Sequence, residues 1–254
     1  MTTALDRFRL DGQVAVITGG ARGIGRASAE AFVAAGARAV LVDRDLDEAK
    51  RAAAAIGNAE AHALDVTDEG AVDSFFDELA ARSGRIDILV NNAGASIRKA
   101  TVELSKAEWD TVIAVNQTAV FLCSRAAARH MLKVKRGAIV NLASIMGFSG
   151  GGLYPNISYQ ASKGAIVNMT RAFAIEWARE GIRVNAVAPA WVRTGFIAPV
   201  LAKPELVSAI EGVTPMGRLV EAEEVAAAIL FLASPAAAMT TGHVLAIDGG
   251  YLAQ

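Results

Sequence analysis

The sequence predicts an α/β fold, with one domain built on a doubly wound parallel sheet of seven strands and helices on both faces. Short runs rich in valine, isoleucine and leucine recur along the chain, and helix-like segments separate them. These runs are continuously apolar rather than alternating, which is typical of parallel strands buried on both faces. No internal repeat, low-complexity tract or linker divides the 254 residues, so we expect a single domain over 1–254.

The predicted strands and helices alternate, as right-handed crossover connections require. The strands are VAVIT (14–18), AVLVD (39–43), AHALDV (61–66), IDILVN (86–91), GAIVNLAS (137–144), RVNAVAP (183–189) and HVLAID (243–248). The clearest helices are predicted over 24–35, 69–81, 106–131, 162–178 and 221–233, each ending near glycine or proline. Residues 190–217 contain Pro199, Pro204 and Pro215 and interrupt this alternation. An insertion beside a rigid sheet is often a functional lid, so we expect it to cover the substrate.

Composition excludes several classes of protein. The formal net charge is -1 and no basic run is present, so neither nucleic acid nor an anionic membrane is an expected partner. No apolar stretch approaches the roughly 18 residues of a membrane span. The segment MTTALDRFRLDG lacks the features of a secretory signal, and we therefore expect a cytoplasmic protein. The cysteine and the three histidines are scattered, so we expect no catalytic metal.

A glycine-rich turn, TGGARGIG, follows the first strand directly and leads into the first helix. Gly19, Gly23 and Gly25 would permit a tight turn and let a pyrophosphate approach the backbone at the helix amino terminus. Their spacing differs from the GxGxxG of the standard dinucleotide fingerprint. A phosphate-binding NTPase loop is excluded, because Arg26 and Ala27 stand where that loop needs lysine and then serine or threonine.

Acidic residues follow the next two strands. Asp43 ends the second strand, where a carboxylate can accept hydrogen bonds from an adenosine ribose and would repel the 2′-phosphate of NADP. Arg22 and Arg44 favour NADP instead, because guanidinium groups pair well with its 2′-phosphate. We give the acid more weight and predict NAD rather than NADP. Asp65 ends the third strand and could meet the adenine edge, although turn initiation by DVTD explains it as well.

The segment YQASK places Tyr159 four residues before Lys163, although the chain has only three tyrosines. In a helix this spacing puts both side chains on one face. Taken alone, the pair could also be an amphipathic surface, with the lysine stem lying along the ring. A free phenol titrates near pH ~10, so a tyrosine that acts as a base at neutral pH needs a nearby positive charge. Lys163 could supply that charge.

Together these segments resemble the classical short-chain dehydrogenase/reductase family over essentially the whole chain. The matching segments are TGGARGIG (18–25), NNAG (91–94), Asn116, Ser144, YQASK (159–163) and IDGG (247–250). The resemblance implies a Rossmann-like fold, a nicotinamide cofactor and hydride transfer. It implies that Tyr159 is the catalytic acid and base, and that Lys163 is its partner and also binds the nicotinamide ribose. It further implies that Ser144 orients the substrate, and that Asn116 holds a water molecule for proton relay.

The same resemblance places the cofactor along the carboxyl ends of the strands. The expected cofactor-binding residues are Gly19, Arg22, Gly23, Ile24, Gly25, Asp43, Asp65, Val66, Asn91, Ala93, Gly94, Tyr159, Lys163, Pro189, Val192 and Thr194. Members of the family usually have PG after the sixth strand, whereas this chain has Pro189 followed by Ala190. Because alanine is conformationally less free than glycine, this departure bears on the path of that loop and not on the cofactor assignment.

The substrate is less sharply defined than the cofactor. The residues expected to contact it are Ser96, Ser144, Met146, Gly152, Asn156, Tyr159, Trp191 and Phe196, with Ile145 beside them. No cluster of lysine or arginine is evident that would clamp a phosphate or carboxylate, so a neutral hydroxylated molecule fits best. The carboxyl-terminal half resembles the NAD-dependent polyol and sugar dehydrogenases of the galactitol type. The alternative is an NADPH-dependent reductase of 3-oxoacyl groups on carrier protein or of other ketones. By the same resemblance we expect a homotetramer.

Two other classes of protein remain as weaker hypotheses. GFSGG formally matches the GxSxG nucleophile elbow of serine hydrolases, but that elbow needs a helix directly after Ser149, and GGGLYP follows instead. A regulatory protein that binds nucleotide without turnover would keep the glycine turn. It would not need Asn116, Ser144, Tyr159 and Lys163, all of which are present.

Overall fold

In the part of the chain that the structure describes, the central sheet has the seven parallel strands that the sequence predicts. A computed structural model describes residues 3–151 and 153–254 of the chain. Its strands are β1 (Val14–Thr18), β2 (Arg38–Asp43), β3 (Ala59–Ala63), β4 (Ile88–Asn91), β5 (Gly137–Leu142), β6 (Ile182–Pro189) and β7 (Val244–Ile247). They lie in the order β3-β2-β1-β4-β5-β6-β7, and each neighbouring pair is parallel.

Helices cover both faces of the sheet. They are α1 (Gly23–Ala34), α2 (Leu46–Ile56), α3 (Glu69–Ser83), α4 (Lys106–Ile113), α5 (Ala119–Val134), α6 (Ile157–Trp177), α7 (Ala198–Leu201), α8 (Pro204–Val213) and α9 (Ala222–Ala233). Within the described ranges, no helix is both long and apolar enough to cross a bilayer.

The two faces of the sheet carry separate hydrophobic cores. Along β1, Val14 and Val16 pack with α3, α5 and α6, whereas Ala15 and Ile17 pack with α1, α2 and α9. Successive side chains of a strand point to opposite faces, so a strand buried on both sides must be apolar at every position. This is why the strands appear in the sequence as continuous apolar runs. The predicted doubly wound α/β fold is confirmed.

Three predicted elements differ most from those in the structure. The third strand ends at Ala63 rather than at residue 66, because Asp65 accepts hydrogen bonds from Thr67 and starts a turn. The helix expected over 106–131 is two helices, α4 and α5, joined by a π-helical turn at Ala114–Thr118. The helix expected to begin at residue 162 begins at Ile157, so YQASK lies entirely within α6.

The insertion at 190–217 folds over the carboxyl end of β6. It contains α7 and α8, and Val192 pairs with Val220 at its base. Trp191, Ile197 and Ile210 pack there against Ile145 in a hydrophobic cluster of their own. The insertion therefore covers the side of the sheet where a substrate is expected, and its role as a lid remains a prediction.

The strand order predicts a binding site at the carboxyl ends of the two central strands. The order reverses direction between β1 and β4, and the loops after these two strands therefore diverge to opposite sides. Open α/β sheets bind their ligands in the crevice that this switch point creates at the carboxyl ends of the strands.

Candidate active site

A cavity of about 530 Å³ opens at the switch point. The predicted site residues that line it are Gly19, Arg22, Gly23, Ile24, Asp43, Ala93, Gly94, Ser96, Ser144, Ile145, Met146, Asn156, Tyr159, Lys163, Pro189, Trp191, Val192, Thr194 and Phe196. Gly25, Asp65, Val66, Asn91 and Asn116 lie outside its lining. Gly152 lies outside the described residues.

Tyr159 and Ser144 face each other in this cavity. Tyr159 is in the first turn of α6, and Ser144 follows β5 and caps a short 3-10 turn by accepting a hydrogen bond from Met146 N at 3.1 Å. Burial raises the pKa of Tyr159 to about 12, although its interaction with the Ser144 hydroxyl acts in the opposite direction. The phenol is therefore neutral at physiological pH in the protein without a ligand. A further positive charge is needed before it can act as a base.

Lys163 lies one helical turn beyond Tyr159, as the sequence predicts. Its ammonium nitrogen is 5.4 Å from the centroid of the Tyr159 ring and donates a hydrogen bond to the Leu142 carbonyl at the end of β5. The side chain is buried, and burial lowers the pKa of Lys163 to about 8. The amine thus keeps its proton in most molecules at neutral pH. It places a positive charge beside the phenol without pairing with a carboxylate of the described residues.

Asn116 is buried in the π-helical turn between α4 and α5. Its amide accepts a hydrogen bond from Ala95 N at 2.7 Å, and donates to Ala95 O and to Ser162 Oγ, both at 3.0 Å. Both amide hydrogens therefore hold the loop after β4 against α6. π-Helical turns leave irregular backbone and are common at functional sites. The water-holding role of Asn116 stays a prediction.

The glycine turn has no room for side chains. A Cβ on Gly25 would lie 2.2 Å from the Gly19 carbonyl oxygen, and one on Gly19, whose φ is +62°, would lie 2.9 Å from Asn92 Nδ2. Asn92 fixes this turn by donating hydrogen bonds to the carbonyls of Thr18 and Gly19, each at 2.9 Å. The first amides of α1 receive no side-chain cap from Arg22. They are therefore available to an anion such as a phosphate.

The charged residues near the end of β2 bear on the choice of cofactor. Asp43 accepts hydrogen bonds from Ala21 N at 3.3 Å and from Asp45 N at 3.1 Å, and this holds its carboxylate at the edge of the cavity. Arg22, which favoured NADP in the sequence, pairs with Asp45 at 2.6 Å and with Glu48 at 3.7 Å. The arginine is therefore already engaged by two carboxylates.

The residues expected around the adenine and the central strand hold the structure together. The hydrogen bonds from Thr67 lower the pKa of Asp65, as in an ordinary turn, and Val66 is buried in the core. Asn91 donates hydrogen bonds to Ser124 Oγ at 2.9 Å and to Asn141 Oδ1 at 2.8 Å in the interior. Asn91, which was expected to bind the cofactor, thus links β4 to α5 and β5 and lies outside the cavity lining.

The loop after β6 tolerates the unusual alanine. Ala190 N donates a hydrogen bond to Ile247 O at 3.1 Å, and the φ angle of Ala190 is not positive. Thr194 packs on the first turn of α1, where a Cβ on Gly23 would meet its side chain at 3.2 Å. Glycine is thus not required at position 190, and this loop reaches the glycine turn as the family pattern implies.

The substrate side of the cavity combines polar and aromatic groups. Ser96 Oγ donates to Asn156 Oδ1 at 3.3 Å, and the Phe196 and Tyr159 rings lie with their centroids 6.1 Å apart. Arg98 and Tyr154 are among the lining residues that were not predicted from the sequence. Arg98 lies four residues after the NNAG segment, and Tyr154 is the tyrosine nearest to YQASK. These positions were the only signals that could have drawn attention to them.

The elbow interpretation of GFSGG does not fit the structure. Ser149 Oγ accepts a hydrogen bond from Gly151 N at 3.2 Å, and the next helix, α6, begins only at Ile157. A nucleophile elbow needs a strand, a sharp turn and a helix in direct succession. The serine hydrolase hypothesis therefore lacks its structural basis.

Comparison with known proteins agrees with this geometry. A family model described as enoyl-(acyl carrier protein) reductase matches residues 19–252. A galactitol 2-dehydrogenase (L-tagatose-forming) of Cereibacter sphaeroides is 46% identical over 96% of each chain. The chain belongs to the short-chain dehydrogenase/reductase family. It is therefore an oxidoreductase of a family that uses nicotinamide cofactors and acts on CH–OH groups or the corresponding ketones.

Other members of the short-chain dehydrogenase/reductase family are similar over the same length. A D-threitol dehydrogenase of Mycolicibacterium smegmatis is 42% identical over 96% of this chain and 94% of its own. The crystal structure of a gluconate 5-dehydrogenase from Burkholderia cenocepacia, in complex with NADP and tartrate, is 35% identical. It superposes with a TM-score of 0.95, covering 99% of this chain and 100% of that one. The predicted membership in the family is thus confirmed.

Proposed function

We propose that this protein is an NAD-dependent dehydrogenase that reversibly oxidises a secondary alcohol of a polyol or sugar. The observation that carries the proposal is the joint position of Ser144, Tyr159 and Lys163 at one end of a cavity whose other end is the glycine turn. Tyr159 as the acid and base, Lys163 as its charged partner and Ser144 as the orienting hydroxyl would therefore lie beside a bound dinucleotide. The relatives named for galactitol and threitol support the polyol class.

The residues of the cavity fit a nicotinamide dinucleotide. The crowded glycines Gly19 and Gly25 and the uncapped amino terminus of α1 suit a pyrophosphate. Asp43 suits the two hydroxyls of an adenosine ribose, and the ion pairs of Arg22 with Asp45 and Glu48 draw it away from a 2′-phosphate. These contacts support NAD. The related gluconate 5-dehydrogenase, by contrast, is described in complex with NADP.

The chain's own residues would handle the proton. When bound, the cofactor accepts or returns a hydride at its nicotinamide ring, and its positive oxidised form adds to the charge of Lys163. During oxidation the alcohol loses that hydride from carbon and its hydroxyl proton to the ionised Tyr159, which leaves a ketone. Ser144 would hold the alcohol oxygen, and Lys163 would favour the ionised phenol. During reduction Tyr159 would return the proton to the ketone oxygen.

We also propose that the protein is a homotetramer that buries apolar side chains of α5 and α6. Phe121 on α5 is 42% exposed, and Ile175 on α6 is 84% exposed. Exposed apolar side chains on neighbouring helices are typical of contact surfaces. Sedimentation equilibrium should give four times the chain mass for the wild type and a smaller particle for Ile175→Glu. A monomeric wild type would overturn this proposal.

The first test is the appearance of reduced-nicotinamide absorbance when the protein is mixed with NAD or NADP and a panel of polyols, sugars and simple secondary alcohols. We expect NAD-dependent turnover of a polyol or sugar, and its loss in Tyr159→Phe by about 10²–10⁴-fold, the usual contribution of a general acid or base. Turnover only with NADPH and ketones, 3-oxoacyl thioesters among them, would establish the reductase alternative instead. Cofactor binding without turnover of any panel member would favour a regulatory protein.

A further inference from the structure

Arg98 stands out on the substrate side of the cavity. It lies in the loop after β4, lines the same cavity as Ser144 and Tyr159, and is partly buried. Its guanidinium carbon is 5.2 Å from the centroid of the Tyr154 ring, so the planar group lies over an aromatic face. This stacking holds the long side chain in one place and leaves its N–H groups free to bind elsewhere.

The Arg98 guanidinium lacks the partner that a buried arginine ordinarily has. Its Nε is buried without a hydrogen-bond acceptor, and no carboxylate of the described residues forms an ion pair with it. The next residue, Lys99, shows the ordinary situation, because its amine binds both carboxylate oxygens of Glu108 at 3.1 Å. An unsatisfied buried donor is unfavourable, and more so when it is charged, unless an acceptor binds to it. The natural occupant is an anion in the cavity.

Tyr154 provides a second donor at the same place. Trp191 Nε1 donates a hydrogen bond to the Tyr154 hydroxyl at 2.9 Å. Because an indole N–H can only donate, the tyrosine accepts this bond and keeps its own O–H proton for an acceptor. Trp191 itself is buried in the hydrophobic cluster of the insertion, which fixes the phenol in position. The guanidinium and this hydroxyl therefore form a rigid pair of donors.

We propose that Arg98 and Tyr154 form a carboxylate-binding subsite, so that the preferred substrate is a polyhydroxy acid, that is, a polyol chain with a carboxylate at one end. This rests on the proposed function and replaces the neutral polyol expected from the sequence with an acidic one. A guanidinium matches the two oxygens of a carboxylate with parallel hydrogen bonds. Of the other basic residues that line the cavity, Arg22 is paired with Asp45 and Lys163 is bound to the Leu142 carbonyl. One free positive charge suits a carboxylate better than a doubly charged phosphate.

The subsite is close to the reacting groups. Among the influences on the pKa of Tyr159, after burial and the Ser144 hydroxyl, are Tyr154, which raises it, and Arg98, which lowers it. Both subsite residues are thus within electrostatic reach of the catalytic phenol. The hydroxyl and amide of Ser96 and Asn156 line the same side of the cavity and suit the hydroxyls of a short chain. The substrate carboxylate would therefore be held in the same cavity as the carbon that is oxidised.

The kinetic test compares acids with the matched neutral polyols: D-gluconate with D-glucitol, and D-galactonate with galactitol. In the wild type we expect kcat/KM to be higher for the acids by tenfold or more. Arg98→Met should lower kcat/KM for the acids by about 10- to 100-fold more than for the polyols, the usual contribution of hydrogen bonds to a charged group, since any effect of Arg98 on the pKa of Tyr159 acts on both classes alike. Arg98→Lys should recover part of the loss. Lys99→Gln removes the same charge one residue away and should alter neither class.

Two kinetic results would overturn the subsite. In one, the wild type prefers the polyols. In the other, Arg98→Met lowers the rate for acids and polyols equally and shifts the pH profile upward, since Arg98 would then act only on the ionisation of Tyr159.

A binding experiment separates this proposal from the proposed function. Calorimetric titration of the protein with D-gluconate, in the presence of the reduced form of the preferred cofactor, measures binding without turnover. Binding to the wild type that weakens at least tenfold in Arg98→Met supports the subsite even if no panel substrate is oxidised. Equal binding to both proteins refutes it even if polyols are oxidised. Titration with inorganic phosphate is the second arm, and tighter binding of phosphate than of gluconate would contradict the assignment to a carboxylate.

Discussion

The two ends of the cavity are built in different ways. The cofactor end is made largely of backbone: the turn at Gly19 to Gly25, the uncapped amides of α1, and Asp43 as the main side chain. The substrate end is made of side chains from three separate loops, among them Arg98, Tyr154 and Trp191. A phosphate-binding turn made of backbone depends on a few glycines in one segment. A substrate pocket made of side chains changes its shape and charge with each substitution. One scaffold can therefore keep its cofactor while its substrate varies.

Next to the substrate end lies the pair on α6 that we propose to be catalytic. Tyr159 and Lys163 are fixed by one helical turn, and the Lys163 amine is anchored to the end of β5 through the Leu142 carbonyl. Burial works against both of their charged forms. We therefore expect Tyr159 to ionise only when a further positive charge, that of the oxidised nicotinamide ring, is bound beside it. Substitutions here should abolish turnover, whereas substitutions at either end should change what is bound.

The largest effect is expected from Lys163→Met, which removes the positive charge and keeps an apolar stem of similar length. We expect kcat/KM for alcohol oxidation to fall by about 10²–10⁴-fold, because the phenol loses the charge that favours its ionised form. The double variant with Tyr159→Phe should be little worse than either single variant, since groups that act as a unit are not additive. Initial rates at saturating cofactor test this. Activity of Lys163→Met within tenfold of the wild type would show that the amine is dispensable.

A smaller effect is expected from Asp43→Ala at the cofactor end. Removing the carboxylate should shift the ratio of kcat/KM for NADP over NAD upward by about tenfold or more, because a like charge next to the 2′-phosphate costs several kcal/mol. The control is Asp47→Ala, an exposed carboxylate at the start of α2. It should leave the ratio within threefold. An unchanged ratio in Asp43→Ala would mean that the carboxylate does not select the cofactor.

The backbone character of the cofactor end is tested by Gly25→Ala. Its Cβ would lie 2.2 Å from the Gly19 carbonyl oxygen, so the turn must shift. We expect a loss of about 1–3 kcal/mol in the free energy of unfolding, as in other overpacked sites, together with weaker NAD binding. Gly70→Ala in α3 is the matched control, because its Cβ would meet only Asp68 Oδ1 at 3.6 Å. It should be neutral or stabilising by up to about 1 kcal/mol. Equal urea midpoints for the two variants would contradict the crowding argument.

The same contrast explains what the sequence could predict. The glycine turn and the Tyr159–Lys163 pair each lie within one short segment, so local spacing fixes their geometry. Arg98 and Tyr154 belong to different loops and meet only when β4 and β5 pair, and no local pattern indicates that contact. The π-helical turn at Asn116 is likewise set by packing, since its amide bonds to Ala95 and Ser162. The end of the third strand was misplaced because the apolar run continues past Ala63 into the Asp65 turn.

The smallest expected effect is a shift in the pH at which Tyr159 ionises. Its pKa of about 12 in the protein alone means that the phenol stays protonated as the pH rises past the ordinary value near ~10. Lys163, with a pKa of about 8, keeps its positive charge below that pH and loses it above. A bound positive nicotinamide ring should therefore lower the pKa of Tyr159, and the oxidation rate should rise with pH until the phenol is ionised.

Tyrosinate absorbance near 295 nm can follow this titration, because the chain has only three tyrosines and subtraction of Tyr159→Phe isolates one of them. Without cofactor the difference signal should stay absent up to about pH 10.5, above the ordinary pKa of a phenol. With saturating NAD it should emerge at lower pH, and with NADH, whose ring is neutral, the shift should be smaller. A signal that titrates at the same pH in all three states would show that the cofactor's charge does not reach the phenol. Lys163 alone would then have to supply the positive charge at Tyr159.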